Sequence, residues 1–139
     1  MMPDPREHKV SCSDYRCEIE ITLEIIGGKW KALILWNLHI HQTIRYNEFR
    51  RLIPAITQKM LTQQLRELEK YGIIERTVYP SVPPMVEYNL SNEGEQLVPI
   101  LEQMDQWGKN FVIVMRRKFL PFGAYQSEKC LLFFDCKSQ

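Results

Sequence analysis

The chain has 139 residues, is 45% hydrophobic and carries a formal net charge of +1, a composition that suits one domain with a real core. No stretch approaches the ~20 uninterrupted apolar residues of a membrane-spanning helix. The opening M-M-P-D-P-R-E-H lacks the apolar core of a secretory signal, so a cytoplasmic protein that does not enter membranes is expected.

The net charge alone argues for no polyanionic partner, but its distribution does. Between Lys29 and Tyr79 nine Lys and Arg residues stand against four Glu, which fits a basic face on a near-neutral body. Residues 1–16 read as a polar, flexible arm, 17–118 as the folded domain, and 119–139 as a tail that holds L-L-F-F behind a stretch broken by Gly and Pro.

From Cys17 the pattern turns helical. Ile19, Leu23 and Ile26 fall on one face with Ile21 and Ile25 beside them, so this helix is expected to lie between neighbours or across a subunit boundary. Gly27-Gly28 ends it. A second helix follows in K-W-K-A-L-I-L-W-N-L, with Trp30, Leu33, Ile34 and Leu38 as its buried set. After a polar connection, Ile44–Tyr46 suits a very short strand, and N-E-F-R-R-L-I a third helix with Phe49, Leu52 and Ile53 inward. Arg50 and Arg51 stay in water, as phosphate candidates.

The next helix is the centre of the reading. Pro54 disfavours a helical residue before it, and Thr57 is suited to cap the helix. Leu61, Leu65 and Leu68 recur on one face, and Gly72 supplies the left-handed stop. The opposite face carries Gln58, Lys59, Thr62, Gln63, Arg66 and Lys70, side chains able to hydrogen-bond base edges and phosphates in a major groove. Lys59 and Arg66 suit guanine or phosphate, and Gln58 and Gln63 suit adenine. Preceded by a short helix and a tight turn, this makes a helix-turn-helix.

Beyond Gly72, Ile73–Tyr79 and Val86–Leu90 are β-prone runs separated by the proline-rich P-S-V-P-P-M, a two-stranded wing that offers Arg76 and Tyr79 to DNA. Ser91 or Asn92 caps a long final helix, with Asn92 and Glu95 at capping-box spacing. Pro99 is expected to kink that helix or to mark the start of its regular part. Leu97, Leu101, Met104, Gly108, Phe111 and Met115 advance by threes and fours, and Ile100, Trp107 and Val112 widen the stripe. Together with Ile19 and Leu23, the residues Leu101, Met104, Trp107, Phe111 and Met115 are the expected dimerisation set. The fold class is therefore mainly α with a small β-wing: a winged helix-turn-helix with N- and C-terminal dimerisation helices.

No catalytic constellation is present. His8, His39 and His41 lack metal-protease spacing, there is no Gly-rich phosphate loop, and Cys12, Cys17, Cys130 and Cys136 do not follow zinc-knuckle spacing. No cofactor, no metal and no enzymatic activity are expected. In a cytosolic chain the thiols rest reduced.

Taken together, G-G-K-W at 27–30, R-Y-N-E-F at 45–49, I-T-Q-K-M-L-T-Q-Q-L-R-E-L-E at 56–69 and P-P-M-V-E-Y-N-L-S at 83–91, with the spacing of Pro99 and Trp107, resemble the HxlR-type winged helix-turn-helix regulators of bacteria, relatives of the MarR group. The resemblance covers Cys17 to about Phe111. It implies a homodimer that places one recognition helix per subunit in the major groove of a pseudo-palindromic operator, with the wing near the adjacent minor groove. Family members often carry an electrophile- or oxidant-sensing cysteine just before the first helix. Cys17 occupies that place, followed here by Glu18 where the family commonly has proline. The inducer is accordingly an oxidant or electrophile acting on Cys17, or else a small molecule. A second class of function, a protein-interaction module built on the same fold, would differ in its insensitivity to salt.

Overall fold

The computed structural model describes residues 17–119. The N-terminal arm with Cys12 and His8, and the tail with Cys130 and Cys136, lie outside the described residues. The element order is α1 (Glu18–Ile26), α2 (Trp30–His41), β1 (Thr43–Arg45), α3 (Tyr46–Leu52), α4 (Gln58–Lys70), β2 (Ile74–Tyr79), β3 (Met85–Leu90) and α5 (Asn92–Phe119). A mainly helical chain with a small antiparallel sheet is the expected class. None of its described helices is long and apolar enough to cross a membrane.

The first unit runs to Glu102. Its core joins Ile34, Leu35 and Leu38 of α2, Phe49 of α3, and Leu61, Leu65 and Leu68 of α4 to Ile44, Ile74, Tyr88 and Leu90 of the sheet. Leu35 is fully buried although it stood outside the expected set for α2, while Trp30 and Leu33 are only half-buried. Five apolar residues in succession, Ala32 to Trp36, put side chains all round this helix, so spacing could not single out Leu35. Asn37 is buried too, its amide donating to the Leu33 carbonyl at 2.8 Å, which meets the demand of a polar group away from water.

The sheet differs from the expected hairpin. It has three strands in the order β1-β3-β2, with Ile44 opposite Tyr88 and Arg76 opposite Tyr88 on the other side. The very short strand expected at Ile44–Tyr46 is Thr43–Arg45, and it docks on β3 with Ile44 buried. An ion pair between Arg45 and Glu87 at 3.4 Å crosses the same seam. Glu48 accepts from the Arg45 backbone amide at 2.9 Å and so starts α3 one residue earlier than its apolar pattern suggests.

The start of α5 is set by Ser91, which corrects the expected Asn92–Glu95 capping box. Ser91 Oγ accepts from the Gly94 amide at 3.1 Å and lies 2.5 Å from the Gly72 carbonyl oxygen. Its own backbone amide donates to the Ile73 carbonyl. A Cβ on Gly94 would collide with that same Ile73 carbonyl, so glycine is what allows the helix to begin this close to the wing. Pro99 sits inside α5 without ending it.

The second unit begins at Gln103. Its described part is the distal length of α5, where Trp107 and Phe111 stack with ring centroids 4.9 Å apart and Asp105 pairs with Lys109 at 2.5 Å.

Candidate nucleic-acid interface

The placement of α4 follows from its two faces. Thr57, in extended conformation, accepts from the Met60 amide at 3.2 Å and caps the helix. Behind it Leu61, Leu65 and Leu68 are buried without remainder, and at its end Gly72 adopts φ +70. With the leucines anchored, the helix has one rotational setting. It presents Gln58, Lys59, Thr62, Gln63, Arg66 and Glu67 along a single open concavity.

The chemistry of that surface is narrower than the residue list suggests. Glu67 is the acid on it, and Lys31 of α2 neutralises it through an ion pair of 2.8 Å. The Lys31 contact holds the Glu67 carboxyl below its ordinary value against the opposing effect of burial. Gln63 donates to the same carboxylate at 3.2 Å. Lys59 and Arg66 are exposed, so the front of α4 carries two cations over a compensated acid.

Thr62 is not the free hydroxyl that its position on the polar face suggested. Its Oγ1 donates to the Gln58 carbonyl at 2.9 Å and lies 2.7 Å from the hydroxyl of Tyr46. Tyr46, at the first position of α3, was missed by sequence reasoning. It also reaches the Gln58 carbonyl at 3.3 Å, and so ties the start of α3 to the first turns of α4. A half-buried tyrosine in a five-residue motif gives no signal of which helix its hydroxyl will meet.

Flanking α4, Arg50 and Arg51 are exposed on α3. Arg51 shares a groove with Arg45, Tyr46 and the wing tip from Ser81 to Val86. The tip contains no cation, and Val82 is fully exposed at its apex. On the wing, Arg76 lies near Tyr88, whose own ionisation is pushed up chiefly by burial and drawn back by that guanidinium. Arg76 therefore faces a cavity shared with Arg66, Glu69, Tyr46 and Tyr88, between helix and wing. Tyr79 stays exposed at the end of β2.

The expected dimerisation set divides. Leu101 is only 4% exposed and belongs to the core of its own chain, which removes it from that set. It lies on the α5 turn beside buried Val98 and packs inward. Ile19, Leu23, Met104, Trp107 and Phe111 are all exposed, Trp107 at 66%, and Met115 is half-buried. Cys17 is an exposed free thiol at the N-cap position of α1. Nearby in the chain, Lys29 lies over the Trp30 ring at 4.5 Å and Lys31 is paired with Glu67. Among the described residues no cluster of His, Cys, Asp or Glu could hold a metal.

The HxlR-like helix-turn-helix profile matches residues 25–115. The chain belongs to the HxlR family. HxlR proteins are transcriptional regulators that bind DNA through the helix-turn-helix, and the arrangement of α3, α4 and wing is that of the winged-helix MarR-like group. The chain is 54% identical over 95 residues to the HTH-type transcriptional regulator YdeP of Bacillus subtilis, covering 68% of this chain and 73% of that one. Among solved structures it is similar to the redox regulator HypR in its reduced form, with TM-score 0.68 and 50% identity over 73% of this chain and 99% of that one. It also resembles the reduced form of the regulator YodB from B. subtilis, with TM-score 0.59 and 32% identity over 79% of this chain and all of that one.

Proposed function

We propose that this HxlR-family regulator binds a pseudo-palindromic operator as a homodimer and that α4 reads the major groove. The observation that carries this reading is the front of α4: two exposed cations and two amides on one face, over an acid neutralised from behind. Lys59, Arg66, Gln58 and Gln63 supply base and phosphate contacts. Arg50 and Arg51 take phosphates from α3. Tyr79 meets the backbone from the wing, and Arg76 contributes its charge from the cavity beside Tyr88. Two-fold symmetry sets the half-sites ~10 bp apart or a multiple of that.

The exposed apolar side chains Ile19 and Leu23 of α1, and separately Met104, Trp107 and Phe111 of α5, support the dimer, because exposed apolar side chains grouped on a helix mark an interaction site. Cys17 is the proposed oxidant sensor. It is an exposed free thiol just before the first helix, and two similar structures are of the redox regulator HypR, in its oxidised and reduced forms.

A gel shift on the intergenic DNA upstream of the protein's own gene, with and without diamide, tests the reading. The parent protein is expected to retard the fragment, to lose it on oxidation and to recover it with reductant. Cys17→Ser is expected to bind and to ignore diamide. Equal retardation by the parent and by a Gln63→Ala/Arg66→Ala variant would remove α4 as the reader.

A further inference from the structure

Thr62 stands in the middle of the α4 front, flanked in space by Gln58, Lys59, Gln63 and Arg66. Two arrangements of its hydroxyl proton satisfy the distances. In one, Thr62 donates to the Gln58 carbonyl at 2.9 Å and accepts from Tyr46 at 2.7 Å. In the other, Thr62 donates to Tyr46, which in turn donates to the Gln58 carbonyl at 3.3 Å. Both keep the Thr62 proton inside the protein. Its hydroxyl can then offer a base or phosphate no hydrogen bond as donor, although a threonine in this position would ordinarily be assigned that role.

What Thr62 retains is its γ-methyl. Two bonds on Oγ1 fix the rotation about Cα–Cβ, which a threonine in a helix otherwise divides between two settings. The methyl is therefore held, not sampled. In a major groove the one base feature that matches a fixed methyl is the C5-methyl group of thymine.

We propose that Thr62 is a specificity-determining residue that selects thymine by methyl–methyl contact, with Tyr46 as the positioning residue that withdraws its hydroxyl from the DNA. This rests on the assignment of α4 as the DNA reader. It predicts that one position in each half-site is read for its methyl and not for its hydrogen-bonding edge.

The test starts with selection of binding sites from a randomised duplex library by the parent protein, followed by titration of the selected duplex with uracil in place of thymine, one position at a time. Uracil keeps every hydrogen-bonding group and lacks only the methyl. One symmetric position is expected to lose about fourfold in affinity, the worth of one buried methyl group. Thr62→Ser, which keeps the hydroxyl and deletes the methyl, is expected to bind thymine and uracil equally there.

Thr62→Val keeps the methyl but leaves the Tyr46 hydroxyl only the Gln58 carbonyl at 3.3 Å, so its folding is checked by thermal melting. The double variant Tyr46→Phe/Thr62→Val removes both hydroxyls together, a change close to neutral for the fold, and is expected to keep the parent's uracil penalty. Loss of that penalty in the folded double variant, or a parent indifferent to uracil at every position, overturns the methyl reading and leaves α4 as the reader. Selection of no sequence by the parent overturns the assignment of α4 itself, and the methyl reading with it.

Discussion

Two helices of this protein carry apolar stripes of the same spacing, and they end differently. In α4 the stripe Leu61, Leu65, Leu68 is wholly buried, covered by α2 and by the sheet. In α5 the stripe begins buried at Val98 and Leu101, then continues through Met104, Trp107 and Phe111 with the side chains exposed. The α4 stripe is answered within the chain, and its polar back is thereby turned outward as a surface. The outer α5 stripe stays exposed along its helix. Periodicity states which side chains share a face; what covers that face is a separate question.

The comparison can be broken most forcefully at α4. Leu65→Ala leaves a cavity at a site with no freedom to collapse and is expected to cost about 2–5 kcal/mol, seen as a lower urea midpoint. The matching change on α5, Trp107→Asp, is expected to leave the unfolding of the dissociated chain unchanged. It should weaken self-association by about tenfold or more, as loss of a central aromatic does; sedimentation velocity over a concentration series would reveal it. A dimer indifferent to Trp107→Asp would place the subunit contact elsewhere.

The outward face of α4 gives the third contrast. Gln63→Ala/Arg66→Ala touches no buried side chain, so the melting temperature is expected to hold while operator affinity falls by about 1–3 kcal/mol per base contact. Competition with unrelated DNA and a salt titration would separate that loss from a general weakening. Smaller still is the cap of α5. Ser91→Ala removes the acceptor of the Gly94 amide and is expected to destabilise by about 1 kcal/mol, a shift that thermal melting resolves.

The smallest effect is a pH dependence at Glu67 of α4. Lys31 holds the Glu67 carboxyl below its ordinary value of 4.5. A carboxyl lowered in the folded state stabilises the protein above its unfolded value, and that stability is lost as pH falls through the folded one. The pair is partly in water, so about 0.2–1 kcal/mol is at stake. Urea midpoints of the parent should fall faster below pH 4.5 than those of Lys31→Ala.

Much of this was legible in the chain. Thr57, the three leucines and Gly72 bound α4 by local rules of capping, spacing and left-handed backbone, each of which acts within a few residues. The wing strands were legible because alternating β-prone runs meet at prolines. The short strand near Ile44 was legible too, but not its partner, since Thr43–Arg45 pairs with β3, more than forty residues away. Likewise local rules offered Ser91 or Asn92 as the cap of α5, and Ser91 takes the place because its hydroxyl and amide both meet the Gly72–Ile73 backbone.

The amino-acid sequence by itself determined the elements, the polarity of each face and the family, because these depend on residue type and short-range spacing. Tertiary structure alone decided which polar groups remain available. Tyr46 spends the hydroxyl of Thr62, Lys31 neutralises Glu67, Tyr88 engages Arg76, and the core claims Leu101. Each is a contact between elements remote in the chain, and a hydrogen bond or a buried methyl group leaves no periodic trace.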